Sequence, residues 1–485
     1  MKKTSMGAAA AAVLCAASAF VFSAQPLAAQ EAQTEAPAAA DGAAQSEQSE
    51  TVTLTVDEAV EYAMEHSRTL KSAQIDLEMK RRAKQYTWNM FIPSVNANAA
   101  VSRSNQVTDS AAMLRPESDP TEGDHWRISG GVSVSLNLSL ALIDGIKINT
   151  ANYEAGLITW EQAVKQNELN IRKLFYALLL QQESLRIQEE TLANAESRMI
   201  QARTNYRNGR VSELEYLQAQ VTYENLKPQL LSAQQSLRQQ LDMFAFVLGM
   251  PVGTQVALDG VIEPDYLELD VENLISEYLM SNIDVRAMQK NIELLELNLG
   301  VQKFQLFSPN LSLSWGWQPY AQPIGDAFGD EWYKKDNGAF SATLSWNLFE
   351  MLPFSQSFQA MKDTEDQIRQ LEINMETLVE NTELDIRTQV DALASYRAAI
   401  EANDANIALA QRSYDMTVIA YRNGTRELLD VRDAENQLNT AKLGLINEKY
   451  NYLAGVLDLE YTLNTKLMNT EPAPDSQNTD TTIEE

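Results

Sequence analysis

The sequence predicts an α+β membrane protein that carries one structural unit twice, and three observations predict it. A strict heptad period of apolar residues runs from Val164 to Tyr206 and recurs from Val379 to Tyr421. Four segments of about ten residues alternate between apolar and small polar side chains, as the strands of a membrane barrel do. The first residues have the make-up of an export signal. The composition narrows function at once: 67 Asp+Glu against 38 Lys+Arg give a formal charge of −29. An acidic surface is the wrong footprint for a phosphate polyanion, so nucleic acid is excluded as a partner. With one cysteine, Cys15, and two histidines, His66 and His125, a zinc site of the usual Cys/His type cannot be assembled.

Residues 1–29 read as a signal peptide, with basic Lys2 and Lys3, an uncharged run from Met6 to Phe22 and small residues to Ala29. The apolar run is shorter than the ~20 residues that span a bilayer. Cys15 follows Leu14 inside that run rather than a small residue, so a lipid anchor is not indicated. Cleavage near Ala29 removes the only cysteine and leaves a chain whose stability must come from packing. Residues 30–50 and 470–485 are acidic, lack basic side chains and have too little apolar content to order themselves. Between them the sequence divides into a first repeat, 51–260, and a second, 261–469.

Each repeat opens with a helical pattern, Val56 to Met90 and Val271 to Phe307, with Thr55 and Asp270 as expected N-caps. Each pattern stops at an aromatic and proline step, Phe91-Ile92-Pro93 and Phe307-Ser308-Pro309. The period then changes to two. Val95, Ala97, Ala99 and Val101 share one face, as do Leu311, Leu313 and Trp315. Second strands are expected over Val132 to Leu142 and Phe340 to Leu348. A soluble sandwich would alternate in the same way. Four strands cannot close a membrane barrel, which starts at eight, and lipid does not tolerate an open edge, so several chains must share one barrel. Trp126, Trp317, Tyr320 and Trp332 stand near strand ends, where an interfacial girdle is expected.

The long helices follow. Val164, Ile171, Leu178, Leu185, Leu192, Met199 and Tyr206 are matched in the second repeat, one for one, by Val379, Ile386, Leu393, Ile400, Ile407, Tyr414 and Tyr421. A heptad period sustained over this length describes packed coiled-coil helices. Both series end in one tetrapeptide, Tyr206-Arg207-Asn208-Gly209 and Tyr421-Arg422-Asn423-Gly424, where Asn-Gly enters the left-handed region cheaply and reverses the chain. Return helices are expected over Ser212 to Leu248 and Glu427 to Leu463, with a kink or local unwinding at Pro228 in the first only.

This order of elements resembles the TolC-type outer-membrane efflux proteins. Its most specific piece is Tyr421 to Ala434, where Tyr-x-x-Gly-Thr leads into Leu429-Asp430-Val431-Arg432-Asp433-Ala434; Leu54 to Val60 matches the family's opening. The resemblance implies a homotrimer with a twelve-stranded outer-membrane β-barrel, four strands per chain, continuous with a periplasmic α-helical tunnel. It further implies work with a periplasmic membrane-fusion adaptor and an inner-membrane transporter of the RND, ABC or similar type, contact with outer-membrane lipid, and no cofactor or chemistry. Asp430 and Asp433 match the acids ringing the closed aperture, and their spacing of three places both on one helix face. Tyr421 and Arg426 match the residues tying the inner coiled coil to its neighbours, and Glu215 their acidic partner; Leu214 stands where the family can carry a polar residue. The adaptor-facing tips would be Tyr206, Arg207, Asn208 and Gly209 with Arg422, Asn423 and Gly424. The competing expectation is a periplasmic coiled-coil adaptor or scaffold without a barrel. An enzyme using His66 or His125 as base has no supporting constellation.

Overall fold

The computed structural model of the chain describes residues 52–105, 125–321 and 338–467. The signal peptide, both acidic tails, Trp332 and most of the two expected inter-strand loops lie outside these residues. The first repeat runs β1 (Val52–Leu54), α1 (Val56–His66), α2 (Arg68–Gln85), a 3-10 turn (Thr87–Phe91), β2 (Ser94–Arg103), β3 (Trp126–Leu138), α3 (Ala141–Arg207) and α4 (Glu213–Leu248). The second runs β4 (Val256–Leu258), α5 (Val271–Tyr278), a 3-10 turn (Leu279–Ser281), α6 (Ile283–Phe307), β5 (Asn310–Trp317), β6 (Tyr320–Ala321), β7 (Gly338–Ser345), α7 (Gln356–Arg422) and α8 (Leu428–Leu463). The helices α3 and α7 are each 67 residues long, and their first residues, Ala141 and Gln356, are repeat counterparts. At 1.5 Å per residue each extends roughly 100 Å.

Packing repeats with the same period. Ile171 and Ile386 are both fully buried, as are Leu248 and Leu463, while Leu178 and Leu393 are each 3% exposed. Each repeat thus places the middle of its long helix against the end of its return helix, in two separate clusters, one built on Phe175 and Phe244 and the other on Tyr452 and Leu459. Every fully buried aliphatic side chain there stabilises by roughly 1.5–3 kcal/mol. Both hairpins end as expected. Gly209 (φ 66) and Gly424 (φ 74) take the left-handed position, and Arg210 N–H and Thr425 N–H close the turns onto Asn205 and Ala420 carbonyls at 2.9 and 3.0 Å. At the other end of the return helices Gly249 and Asn464 repeat the device.

Three expectations need correction. The opening helix of each repeat is not continuous: it breaks at Ser67 and again at the counterpart position, Asn282, where the backbone turns extended. Asn282 explains the second break, because its Oδ1 accepts from Asp284 and Val285 N–H and so starts a new helix. In the first repeat α2 also stops at Gln85, and Thr87 to Phe91 tighten into the 3-10 turn. The second correction concerns Pro228, around which α4 continues without unwinding. The carbonyl that proline leaves without a donor belongs to Glu224, an exposed residue. The third concerns the strands: Leu140 to Leu142 belong to the start of α3, and Trp346 to Leu348 leave the sheet. Register supplies the reason. Leu138 pairs with Leu311 and Ser345 with Asn310, so both ladders run out where β5 begins, just after Pro309, which has no N–H to give.

The sheet has four long strands in the order β2-β3-β5-β7, with β6 added alongside β3. All of its pairs are antiparallel. Register aligns the alternation across the sheet: Val95, Val134, Trp315 and Phe340 form one apolar row, while Ser94, Ser135, Ser314 and Ser341 lie on the opposite face. The serines at each end of that row bond in pairs, Ser94 to Ser135 at 2.8 Å and Ser314 to Ser341 at 2.7 Å. Val95, Phe340 and Leu344 are more than two-thirds exposed, so the apolar face is uncovered within the chain. Among the described residues the outer edges of β2 and β7 carry no partner strand. Trp126, Trp317 and Tyr320 sit at the loop ends of their strands. A second set of exposed aromatics, Trp88, Phe91, Trp346, Phe349 and Phe354, marks the helix ends, and the sequence pattern did not single it out as a girdle.

Gly249 offers a test of how the first repeat is fastened. Its φ is +90, and a Cβ there would lie 2.5 Å from the His66 carbonyl oxygen, whereas Gly253 (φ +95) faces open space. Gly249→Ala should cost about 1–3 kcal/mol more than Gly253→Ala, read as the difference in thermal midpoint, because only the former adds a clash to the backbone strain.

Candidate functional site

The two hairpin tips carry the residues singled out above, and they differ in what holds them. All seven tip residues, Tyr206, Arg207, Asn208, Gly209, Arg422, Asn423 and Gly424, are exposed. In the first hairpin Tyr206 stacks on Tyr216 of the return helix, ring centroids 6.0 Å apart and planes 6° from parallel. The second hairpin has Val431 where the first has Tyr216, so its tyrosine has no ring to meet. Tyr421 turns instead to the first hairpin and donates its hydroxyl to Glu215 Oε1 at 2.9 Å. Glu215 occupies the first turn of α4, whose N-cap Ser212 accepts from the Glu215 N–H. Burial, and then the hydrogen bond to and charge of Glu215, push the Tyr421 phenol up to about 12.

Asp430 occupies the matching first-turn position of α8. Its Oδ2 accepts from Glu427 N–H at 3.1 Å and closes a capping box, which fixes the start of that helix. Arg426 Nη1 lies 3.7 Å from the same oxygen, so within the chain Arg426 faces Asp430 rather than Glu215. Asp433 is exposed, with Arg432 Nε 3.9 Å away. The opposite face of α8, Val431, Ala434, Glu435 and Leu438, is buried. The two carboxylates therefore stand on the outer face of a helix whose inner face is packed. Among the described residues no group of three His, Cys, Asp or Glu side chains has the arrangement of a metal site.

Inside that packed face lies an ion pair that sequence reasoning missed. Glu435 is 3% exposed. It accepts from Asn194 Nδ2 at 3.0 Å and forms a salt bridge with Arg198, both on α3. Asn439 continues the contact to Thr191 at 2.8 Å, and Lys442 to Glu190 at 3.3 Å. Tyr414 lies against the pair; its phenol is pushed up by burial and then by the Glu435 charge. These contacts seat the second hairpin on the first above the Tyr421 link. The available signal was an acid, Glu435, at a position that Val431 and Leu438 mark as buried by their helical spacing.

Long helical hairpins joined to a sheet that is apolar on one face are the architecture of a membrane-channel chain. The family model described as outer membrane efflux protein matches residues 59–250 and 274–465, one stretch in each repeat. Over 80 residues the chain is 34% identical to outer membrane protein TolC of Salmonella enteritidis, a match that spans 16% of either chain. Its fold is similar to the CmeC outer membrane channel of Campylobacter jejuni, with a TM-score of 0.69 at 15% identity over 86% of this chain and 87% of that one. It is similar too to VceC of Vibrio cholerae, with a TM-score of 0.65 at 16% identity over 85% and 97% of the two chains. The chain belongs to the outer membrane efflux protein family, and its place is the outer membrane.

Two expectations follow from the tip geometry. Glu435→Leu leaves Arg198 buried without its partner and should destabilise the protein by about 3 kcal/mol or more, whereas Arg198→Met with Glu435→Leu should recover most of that loss in a thermal melt. The Tyr421 link depends on a protonated phenol. Since its pKa is raised, the link keeps full strength below the ordinary value of 10.0 and weakens as pH rises toward about 12. Amide exchange at the second tip, followed across that range, should rise in the native chain more steeply than in Tyr421→Phe.

Proposed function

We propose that the chain is one subunit of an outer-membrane exit duct, three copies of which share a twelve-stranded barrel and a periplasmic helical tunnel. The observation that carries this reading is the sheet, apolar on one face in register across four strands and bounded by β2 and β7, whose outer edges carry no partner strand among the described residues. A periplasmic scaffold without a barrel would leave that face against water. Three copies supply twelve long strands, a barrel wide enough to conduct, and the serine row then faces the lumen. The duct passes drugs, other small molecules or proteins handed on by an inner-membrane transporter and a periplasmic membrane-fusion adaptor, and the adaptor engages the exposed Tyr-Arg-Asn-Gly tips. No residue performs chemistry on the cargo.

Closure falls to the tips. Asp430 and Asp433 from three copies put six carboxylates around one axis, which favours cations and repels anions at the constriction. The Tyr421 hydroxyl on Glu215, together with Arg426 at the aperture, holds the second hairpin inward, and breaking these contacts lets it swing out. The Glu435 and Arg198 pair is the more buried contact, so motion begins at the tip, where one part-buried hydrogen bond to a carboxylate, of about 1.5–3 kcal/mol, is lost.

Tyr421→Phe with Arg426→Ser should raise single-channel conductance in planar bilayers; unchanged conductance would sink the gate assignment. Asp430→Asn with Asp433→Asn should move the reversal potential in a salt gradient toward zero, with cation preference lost. A reversal potential identical to that of the native channel would place the selectivity elsewhere.

A further inference from the structure

The two repeats pack matching elements around their return helices, and the second leaves open a space that the first fills. In the first repeat Phe175 and Leu179 of α3 are 1% and 6% exposed. The chain that follows α4 closes over them: β4 pairs in parallel with β1, Val52 opposite Val256 and Leu54 opposite Leu258, and Ile262 beyond it is buried in the same cluster. Between them Gly260 passes so close that a Cβ there would lie 3.2 Å from Leu179 Cδ1 and 3.3 Å from Phe175 Cε1.

In the second repeat the counterparts of Phe175 and Leu179 are Val390 and Ala394, both smaller. The counterpart of Leu237 is the larger Tyr452, whose hydroxyl accepts from Leu267 N–H at 3.0 Å. A cavity of about 370 Å³ remains beside these residues, walled on its other side by Leu267 and Leu269. Leu267 to Leu269 is the counterpart of β1, and among the described residues no strand pairs with it. Its burial alternates as a strand's does, with Glu268 exposed between two half-buried leucines. An apolar cavity beside an unpaired segment of this kind accepts an added strand, in which backbone hydrogen bonds give affinity and the cavity selects a side chain.

Charge selects the occupant. Glu263, Asp265, Glu268 and Asp270 are exposed along this segment, and among the described residues none has an ion-pair partner. Arg397 in the cavity wall already lies 3.6 Å from Glu401 and over the Tyr266 ring, 5.2 Å from its centroid. The chain's own last residues, 470–485, carry five acids and no base, and the counterparts of Val256 and Ile262 among them are Glu471 and Gln477. Those residues would set acid against acid and offer polar groups where the first repeat buries apolar ones.

We propose that this groove takes an extended basic segment of a partner protein, with one aromatic side chain filling the cavity beside Val390 and Ala394. The segment lies along Leu267 to Leu269 as β4 lies along β1, and its lysines or arginines meet Glu263, Asp265 and Glu268.

A fluorescein-labelled peptide, Lys-Val-Lys-Trp-Lys-Val-Lys, serves as the probe, titrated with the native protein in detergent and followed by anisotropy. Val390→Phe with Ala394→Leu, which restores the side chains of the first repeat and leaves the net charge unchanged, should weaken binding about tenfold or more. Glu263→Lys with Glu268→Lys should weaken it as well, and more strongly at low salt. Thermal melts check that the variants are folded; Ala394→Leu alone, a smaller filling, should act in the same direction if the double variant melts early. Hydrogen exchange at the Leu269 amide should slow when the peptide binds. Equal affinity for the filled variant, or for a peptide with glutamates in place of its lysines, would overturn the proposal. A Leu269 amide already protected without peptide would assign the groove to the chain's own end or to a second copy, and would likewise overturn it.

Discussion

Backbone hydrogen bonding at the two ends of a small sheet governs the molecule. The strands β2 and β7 each offer an outer edge, and the face between them is apolar in register from Val95 through Val134 and Trp315 to Phe340. Water would satisfy the edges but not the face; hydrocarbon would accept the face but not the edges, where each unpaired group costs several kcal/mol. Only further strands resolve both demands. In the proposed assembly, where several chains share one sheet, the helices that continue from its strands stand in a ring around the same axis and the hairpin tips meet at its far end.

Within that frame the two repeats use one geometry for different tasks. Both have a 67-residue helix, a left-handed glycine at the tip and a buried isoleucine and leucine at matching heptad positions. They part company in chemistry. The first hairpin is fastened to itself by the Tyr206 and Tyr216 stack, whereas the second is fastened to the first by polar contacts, from Tyr421 on Glu215 up to Arg198 on Glu435. Polar contacts hold the second hairpin near its tip, whereas further along α8 Leu453 is buried in the core of the first repeat, so in the proposed gate the tip end moves while the rest stays fixed. α3 is the common support. Its acids Glu154 and Glu161 hold α6, and further along Arg198 and Asn194 hold α8.

Much of this was legible in the residues. The heptads and the Asn-Gly reversals depend on local pattern, and so did the helix ends that they located. Thr55 and Asp270 cap as their side chains suggest. What escaped depends on partners distant in sequence. Strand ends were overrun because alternation continues past Leu138 and Ser345, and only register reveals that the strand between them stops at Pro309. The break at Ser67 escaped because apolar spacing runs through it. Glu435 reads as one more acid in an acidic chain, and its burial becomes visible only when Arg198, on another helix, is placed beside it.

The claim on which the rest depends is that copies of this chain complete one barrel through their free edges. Electron cryomicroscopy of the native protein in lipid nanodiscs tests it most directly. The account predicts three copies around one axis, with β2 of each bonded to β7 of the next and the serine face lining an open lumen. A particle in which β2 and β7 close on each other within one chain, or remain uncovered outside the bilayer, would contradict it.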